Sequence, residues 1–125
     1  MASDDAKVLL EEAVTRFLDE VPTFKQMKLV VGVDLRGRGD TQQYRVELPG
    51  PKVRKDIAPD ARVRVEMPRA FFNVMAREAG VADWVEAFTY GQAKATGSAE
   101  ILKLIRHVVE RHEERGRTRR ARPRE

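Results

Sequence analysis

Residues Trp84–Ile105 read WVEAFTYGQAKATGSAEILKLI, and the fold turns on how this stretch divides. It opens with a short apolar helix or turn holding Trp84, Val85, Ala87 and Phe88. A segment bracketed by glycines follows, Gly91-Gln92-Ala93-Lys94-Ala95-Thr96-Gly97. Ala93 and Ala95 alternate there with Gln92, Lys94 and Thr96, the period of two expected of a strand with one buried face. Ser98 is placed to cap a helix, and Glu100 falls in its first turn. Ile101, Leu104, Ile105 and Val108 recur on one face of that helix, flanked by Leu102 and Val109. Small residues on a buried strand face, with large apolar residues before and after, imply either a close helix-on-sheet contact or a hollow interior.

Outward from this stretch, the rest of the chain alternates in the same two periods. Ser3 is placed to cap a first helix, with Asp4 and Asp5 where the helix dipole favours negative charge. Leu10, Val14, Phe17, Leu18 and Val21 form its apolar stripe, and Pro22 ends it. Met27–Leu35 reads as a strand with Leu29, Val31, Val33 and Leu35 on one face. Arg36–Thr41 carries the glycines and aspartate of a hairpin turn. Tyr44, Val46 and Leu48 then alternate with Gln43, Arg45 and Glu47 in an antiparallel partner strand. Pro49-Gly50-Pro51 breaks that strand, Lys52–Lys55 is at most a short third one, and Val63, Val65 and Met67 mark a fourth. Pro68 suits the first turn of a helix whose stripe is Phe71, Phe72, Met75 and Ala79, with Gly80 as its C-terminal cap. Asp83 is placed to cap the apolar segment that contains Trp84.

Each strand has one polar face, so helices cover the sheet on one side only. The expected fold class is α+β, a five-stranded, mainly antiparallel sheet with helices on one face. The strand Gly-x-apolar-Lys-apolar-x-Gly opening directly into an amphipathic helix resembles the core of the sterol carrier protein type-two family, the non-specific lipid-transfer domains. The order of elements agrees with that family over Asp4–Glu114. The resemblance implies a hydrophobic tunnel between sheet and helices and a non-catalytic role in binding or transferring lipid. Two features depart from the family pattern. Ala93 and Ala95 stand where larger aliphatics are common, and the helical segment before them is short.

Composition bounds the rest. A chain of 125 residues with 42% hydrophobic residues fits one domain, expected at 1–116, followed by a disordered basic tail at 117–125. With no cysteine there are no disulfides, no thiol catalysis and no cysteine-based zinc site. The acidic N-terminus lacks a secretion signal and no apolar run reaches ~20 residues, so the expected location is cytoplasmic. Residues 111–125 hold seven arginines and three glutamates, 7 − 3 = +4, which equals the net charge of the whole chain. The body, residues 1–110, is therefore neutral. That neutrality, and the lack of interleaved basic and aromatic residues, argue against nucleic acid as a partner.

Catalytic groups are sparse. His107 and His112 are the two histidines and stand five apart, off a shared helix face. Ser3 and Ser98 both read as caps. No glycine loop cradles a phosphate, because no helix follows Gly37 and Gly39. Arg38-Gly39-Asp40 spells an adhesion tripeptide but reads as a hairpin turn. Neither an enzymatic activity nor a cofactor is expected.

The candidate ligand-binding residues are Phe71, Phe72, Met75, Trp84, Val85, Phe88, Ala93, Ala95, Ile101, Leu104 and Ile105, with Tyr90 offering a polar tip at the mouth. The ligand class implied by the resemblance is a fatty acid, fatty acyl or isoprenoid-like lipid. The alternative is a structural module of the same fold, with a filled core, acting in dimerisation or scaffolding. The arginine-rich end is suited to transient contact with anionic membrane.

Overall fold

The structure is a computed structural model and describes residues 2–121, with the side chains of residues 6–115. Helix α1 spans Ala2–Glu20, and a 3-10 turn over Pro22–Gln26 leads to strands β1 (Leu29–Arg36), β2 (Thr41–Leu48), β3 (Lys52–Arg54) and β4 (Val63–Pro68). Helices α2 (Arg69–Glu78) and α3 (Val81–Thr89) follow, then β5 (Lys94–Gly97) and α4 (Ala99–Ala121). The five strands lie in the order β3-β2-β1-β4-β5. All neighbours are antiparallel except β1 and β4, which run parallel. This is the expected α+β architecture.

The alternation read from the sequence sets the two faces of the sheet. Toward the helices, Leu35, Tyr44, Val46, Val53, Val63 and Met67 are buried, and Phe72 and Ala76 of α2 close over them with Ala6, Leu10 and Ala13 of α1. Burying a side chain the size of Leu35 or Phe72 stabilises the fold by about 1.5–3 kcal/mol. A second cluster joins Leu18, Val21, Phe24 and Val81, with the Phe17 and Phe24 rings stacked at 5.2 Å. The opposite face is laced with charge. Arg64 meets Asp34 at 3.5 Å and Arg36 meets Glu66 at 3.1 Å. Arg45 pairs with Glu47 and with Asp60. Gly32 lies beneath Arg64, where a Cβ would come within 3.0 Å of the guanidinium.

Long-range caps fix the helical layer. Arg16 of α1 donates to the carbonyls of Ala76 and Arg77 at 3.0 and 2.8 Å, closing the C-terminus of α2. Glu20 accepts from the N–H of Val81 at 3.1 Å and lies 3.6 Å from His112 Nε2, tying the ends of α1 and α3 to α4.

Several expected boundaries shift. α1 starts at Ala2, so Ser3 lies inside it. Gly80 does not cap α2 with left-handed backbone. Its φ is −93° and it precedes α3, which begins two residues before Asp83. The Asp83 carboxylate accepts instead from the Gly80 N–H at 2.9 Å. Residues 91–93 belong to a turn and not to β5, because the Gln92 and Ala93 N–H groups both donate to the Ala87 carbonyl. α4 passes Gly116 and reaches Ala121. A lone glycine costs a helix only about 1 kcal/mol, and arginine is a good helix former. The segment expected to be disordered is therefore helical over 117–121, and residues 122–125 lie outside the described residues.

Candidate functional site: an open apolar corner of the sheet

β4 and β5 pair so that Val65 stands opposite Ala95, and directly opposed residues share a sheet face. On that face of β4, Val63 and Met67 are each 3% exposed. Val65 is half-buried and Ala95 is exposed. The helical layer therefore stops short of β5 and leaves the helix-facing side of this corner open.

Two helices adjoin the corner through the chain itself. α3 leads into β5 across the Ala87 carbonyl, and β5 leads into α4 at Gly97-Ser98. Gly97 has φ +133°, and a Cβ there would stand 2.2 Å from the Arg62 carbonyl oxygen, so only glycine lets β5 approach β4 this closely. The same carbonyl accepts the Ser98 N–H at 2.9 Å. Ser98 Oγ accepts the Ile101 N–H at 3.4 Å, the expected cap of α4.

The eleven candidate residues divide into three groups. Phe72 and Ala93, 1% and 2% exposed, are part of the packed main core, against which Phe71, Met75 and Trp84 are partly buried. Val85 and Ile105 lean on the second cluster. Phe88, Ala95 and Leu104 are exposed, Phe88 at 37% and Leu104 at 49%, and Ile101 is half-buried. Tyr90 is 75% exposed at the end of α3. No side chain of α4 between Ala99 and Arg115 is buried, whereas α1 buries Ala6, Leu10, Ala13 and Leu18, and α2 and α3 bury two residues each. Val65 is not among the residues singled out from the sequence, because its pattern is that of any core strand. Its pairing with Ala95 is what distinguishes it.

An open depression of about 400 Å³ lies elsewhere, on the polar flank of α1, lined by Glu11, Glu12, Thr15, Arg16 and Asp19. It touches none of the candidate residues. Among the described residues, no three histidine or carboxylate side chains cluster to hold a metal. His107 is exposed. The perturbed titrating pair sits on the outer face of the sheet. The hydrogen bond from Arg45 holds the Asp60 carboxyl below its ordinary range, and the same bond raises the Arg45 guanidinium. No described helix is long and apolar enough to cross a membrane.

No family model matches the sequence, and no curated protein matches it. Solved structures do match its shape. The crystal structure of sterol carrier protein 2-like 2 from Aedes aegypti superposes with a TM-score of 0.56 at 14% identity, over 84% of this chain and 96% of that one. The fold is that of sterol carrier protein 2. The palmitated solution structure of that Aedes aegypti protein gives a TM-score of 0.54 at 17% identity, covering 80% of this chain and 93% of that one. Sterol carrier protein 2 from the same organism, in complex with palmitate, gives 0.51 at 16% identity, covering 87% and 94%. At these identities the likeness to sterol carrier protein 2 is one of fold. The five-stranded sheet and its helices are what is shared.

Proposed function

We propose that the protein is a non-catalytic, cytoplasmic carrier that holds a hydrophobic ligand at the open corner of β5. The ligand is a fatty acid, a fatty acyl group or an isoprenoid-like lipid. The observation that carries this reading is Ala95, which faces the helical side of the sheet opposite Val65 and is nevertheless exposed. An apolar chain laid against Val65 and Ala95, with Phe88, Ile101 and Leu104 at its sides, removes apolar surface from water on both partners. Each buried methylene contributes about 0.8 kcal/mol, from which the freedom lost on association is subtracted. The half-buried stripe of α4 is suited to shift and deepen this groove toward the expected tunnel. Residues 1–116 constitute the carrier unit on this reading, and the arginines beyond it contribute charge. The palmitate held by the Aedes aegypti proteins of the same fold supports the ligand class.

The scaffold reading draws on a different observation. Phe72, Ala76, Ala87 and Ala93 already fill the space beneath α2 and α3. Titration of a fluorescent fatty acid, together with mass spectrometry of lipid extracted from the purified protein, tests the two. Saturable uptake at one site per chain is expected. A protein that carries no lipid and takes up none is a scaffold.

A further inference from the structure

The open corner of the sheet is bounded at both ends. On the helix-facing side of β4, Val63 and Met67 are each 3% exposed, and Val65 between them is half-buried. Limits stand at both ends of β5 as well. Ala93, just before the strand, is packed with Ala87 in the main core, and its N–H donates to the Ala87 carbonyl at 3.2 Å. At the other end the strand stops at Gly97, where the chain turns into α4 with the Ser98 N–H held by the Arg62 carbonyl. Exposed Ala95 stands between these limits. The opening therefore runs no further than the step from Val63 to Met67, about 13 Å for four residues at about 3.3 Å each. A saturated chain with single bonds of about 1.5 Å advances about 1.25 Å per carbon, so about ten carbons span the opening.

We infer that the corner measures chain length. It seats about ten carbons, and methylenes beyond that number stay in water. The smallest ligand that fills it is a medium-chain acyl group, and a longer acid such as palmitate binds through about ten of its carbons with no added affinity. A shift of α4, which joins β5 at Gly97-Ser98, would widen the groove across the strands. It would not lengthen it, because the ends are set by β4 and by the turn from α3. Among the described residues no polar or charged side chain is buried, so nothing inside the corner would pair with a carboxylate, and the head group stays in water. This inference rests on the carrier reading and narrows its ligand.

Displacement of a fluorescent fatty acid from the unaltered chain by saturated acids, from hexanoate to palmitate, reads this length. Each acid is used below the concentration at which it self-associates. Affinity should rise about two- to fourfold per methylene up to about ten carbons, the lower value because the corner covers the chain from one side. From decanoate to palmitate it should change by less than about twofold in all, whereas a rise continuing at twofold per methylene would reach about sixtyfold. Such a continued rise overturns the inference and leaves the carrier reading intact. Methyl NMR gives a second reading. The Ala95 methyl should shift alike with decanoate and with palmitate, while the methyls of Ala93 and Met67 stay still with both. Movement of Ala93 and Met67 with palmitate but not with decanoate would show the longer chain running past both limits, and would also overturn the inference. Binding of no acid at any length removes the carrier reading and this inference with it.

Discussion

Ala95 and Val65 face each other across β4 and β5 on the helical side of the sheet, and the alanine of the pair is open to solvent. Two residues earlier in the chain, Ala93 is 2% exposed and packed into the main core with Ala87. Two alanines of one alternating segment thus sit in opposite environments.

Their replacement by leucine should separate binding from folding. Ala95→Leu should leave thermal stability nearly unchanged and reduce fatty-acid uptake, since the added methylenes occupy the groove. Ala93→Leu should destabilise the fold by about 1–3 kcal/mol through overpacking. Thermal unfolding and fluorescent fatty-acid uptake of both variants check this. Equal destabilisation by the two substitutions would mean that the corner is filled.

The junction of β5 and α4 should tolerate no side chain at Gly97. Its φ of +133° and the 2.2 Å approach to the Arg62 carbonyl combine strain with a backbone clash. Gly97→Ala should cost about 3 kcal/mol or more. Gly91 has φ +76° with open space around it. Gly91→Ala should cost only about 1 kcal/mol. Chemical denaturation of the two variants gives both values, and a Gly97→Ala protein as stable as Gly91→Ala would refute the close approach.

Much of this architecture was legible in the sequence because its signals are local. Leu29 to Leu35, Tyr44 to Leu48 and Val63 to Met67 alternate cleanly, and their inward residues are buried or, at Val31, Leu48 and Val65, half-buried. Ser98 caps α4 as its position implied. What escaped depends on contacts distant in sequence. The start of α3 at Val81 is fixed partly by Glu20, sixty-one residues earlier. The late start of β5 follows from the Ala87 carbonyl, which captures two N–H groups that a strand would have used. The proposed corner was legible only in outline. Small residues near large ones implied a close contact or a hollow interior, but the burial of Ala93 and the exposure of Ala95 depend on where the helical layer stops, and nothing in the period of two records that.

Arg16 should couple the first helix to the second. Arg16→Ala removes both donors to the Ala76 and Arg77 carbonyls. The expected loss is about 1–2 kcal/mol, since one of the two bonds is exposed. Arg16→Lys should recover only part of it, because an ammonium lacks the forked geometry. Urea unfolding of the three proteins provides the comparison, and full recovery with lysine would reduce the interaction to simple charge.

Acid should loosen the outer face of the sheet. Asp60 has a lowered folded pKa, caused first by the hydrogen bond from Arg45. Its contribution is therefore present above the ordinary carboxylate range, near pH 4, and is lost as pH falls through the depressed folded value. The Asp60→Asn variant should lose part of the stability difference between pH 5 and pH 2 that the unaltered chain shows. Identical pH profiles for the two proteins would show that the pair is too solvated to contribute.

Methyl NMR of the alanine- and leucine-labelled protein during titration with palmitate tests the carrier reading most directly. The Ala95 methyl and the Leu104 methyls should shift together and saturate at one palmitate per chain. The methyl of Ala58, which is buried and whose carbonyl accepts from Arg64, should not move. Unmoved Ala95 and Leu104 signals at saturating palmitate would contradict a ligand at the open corner of β5.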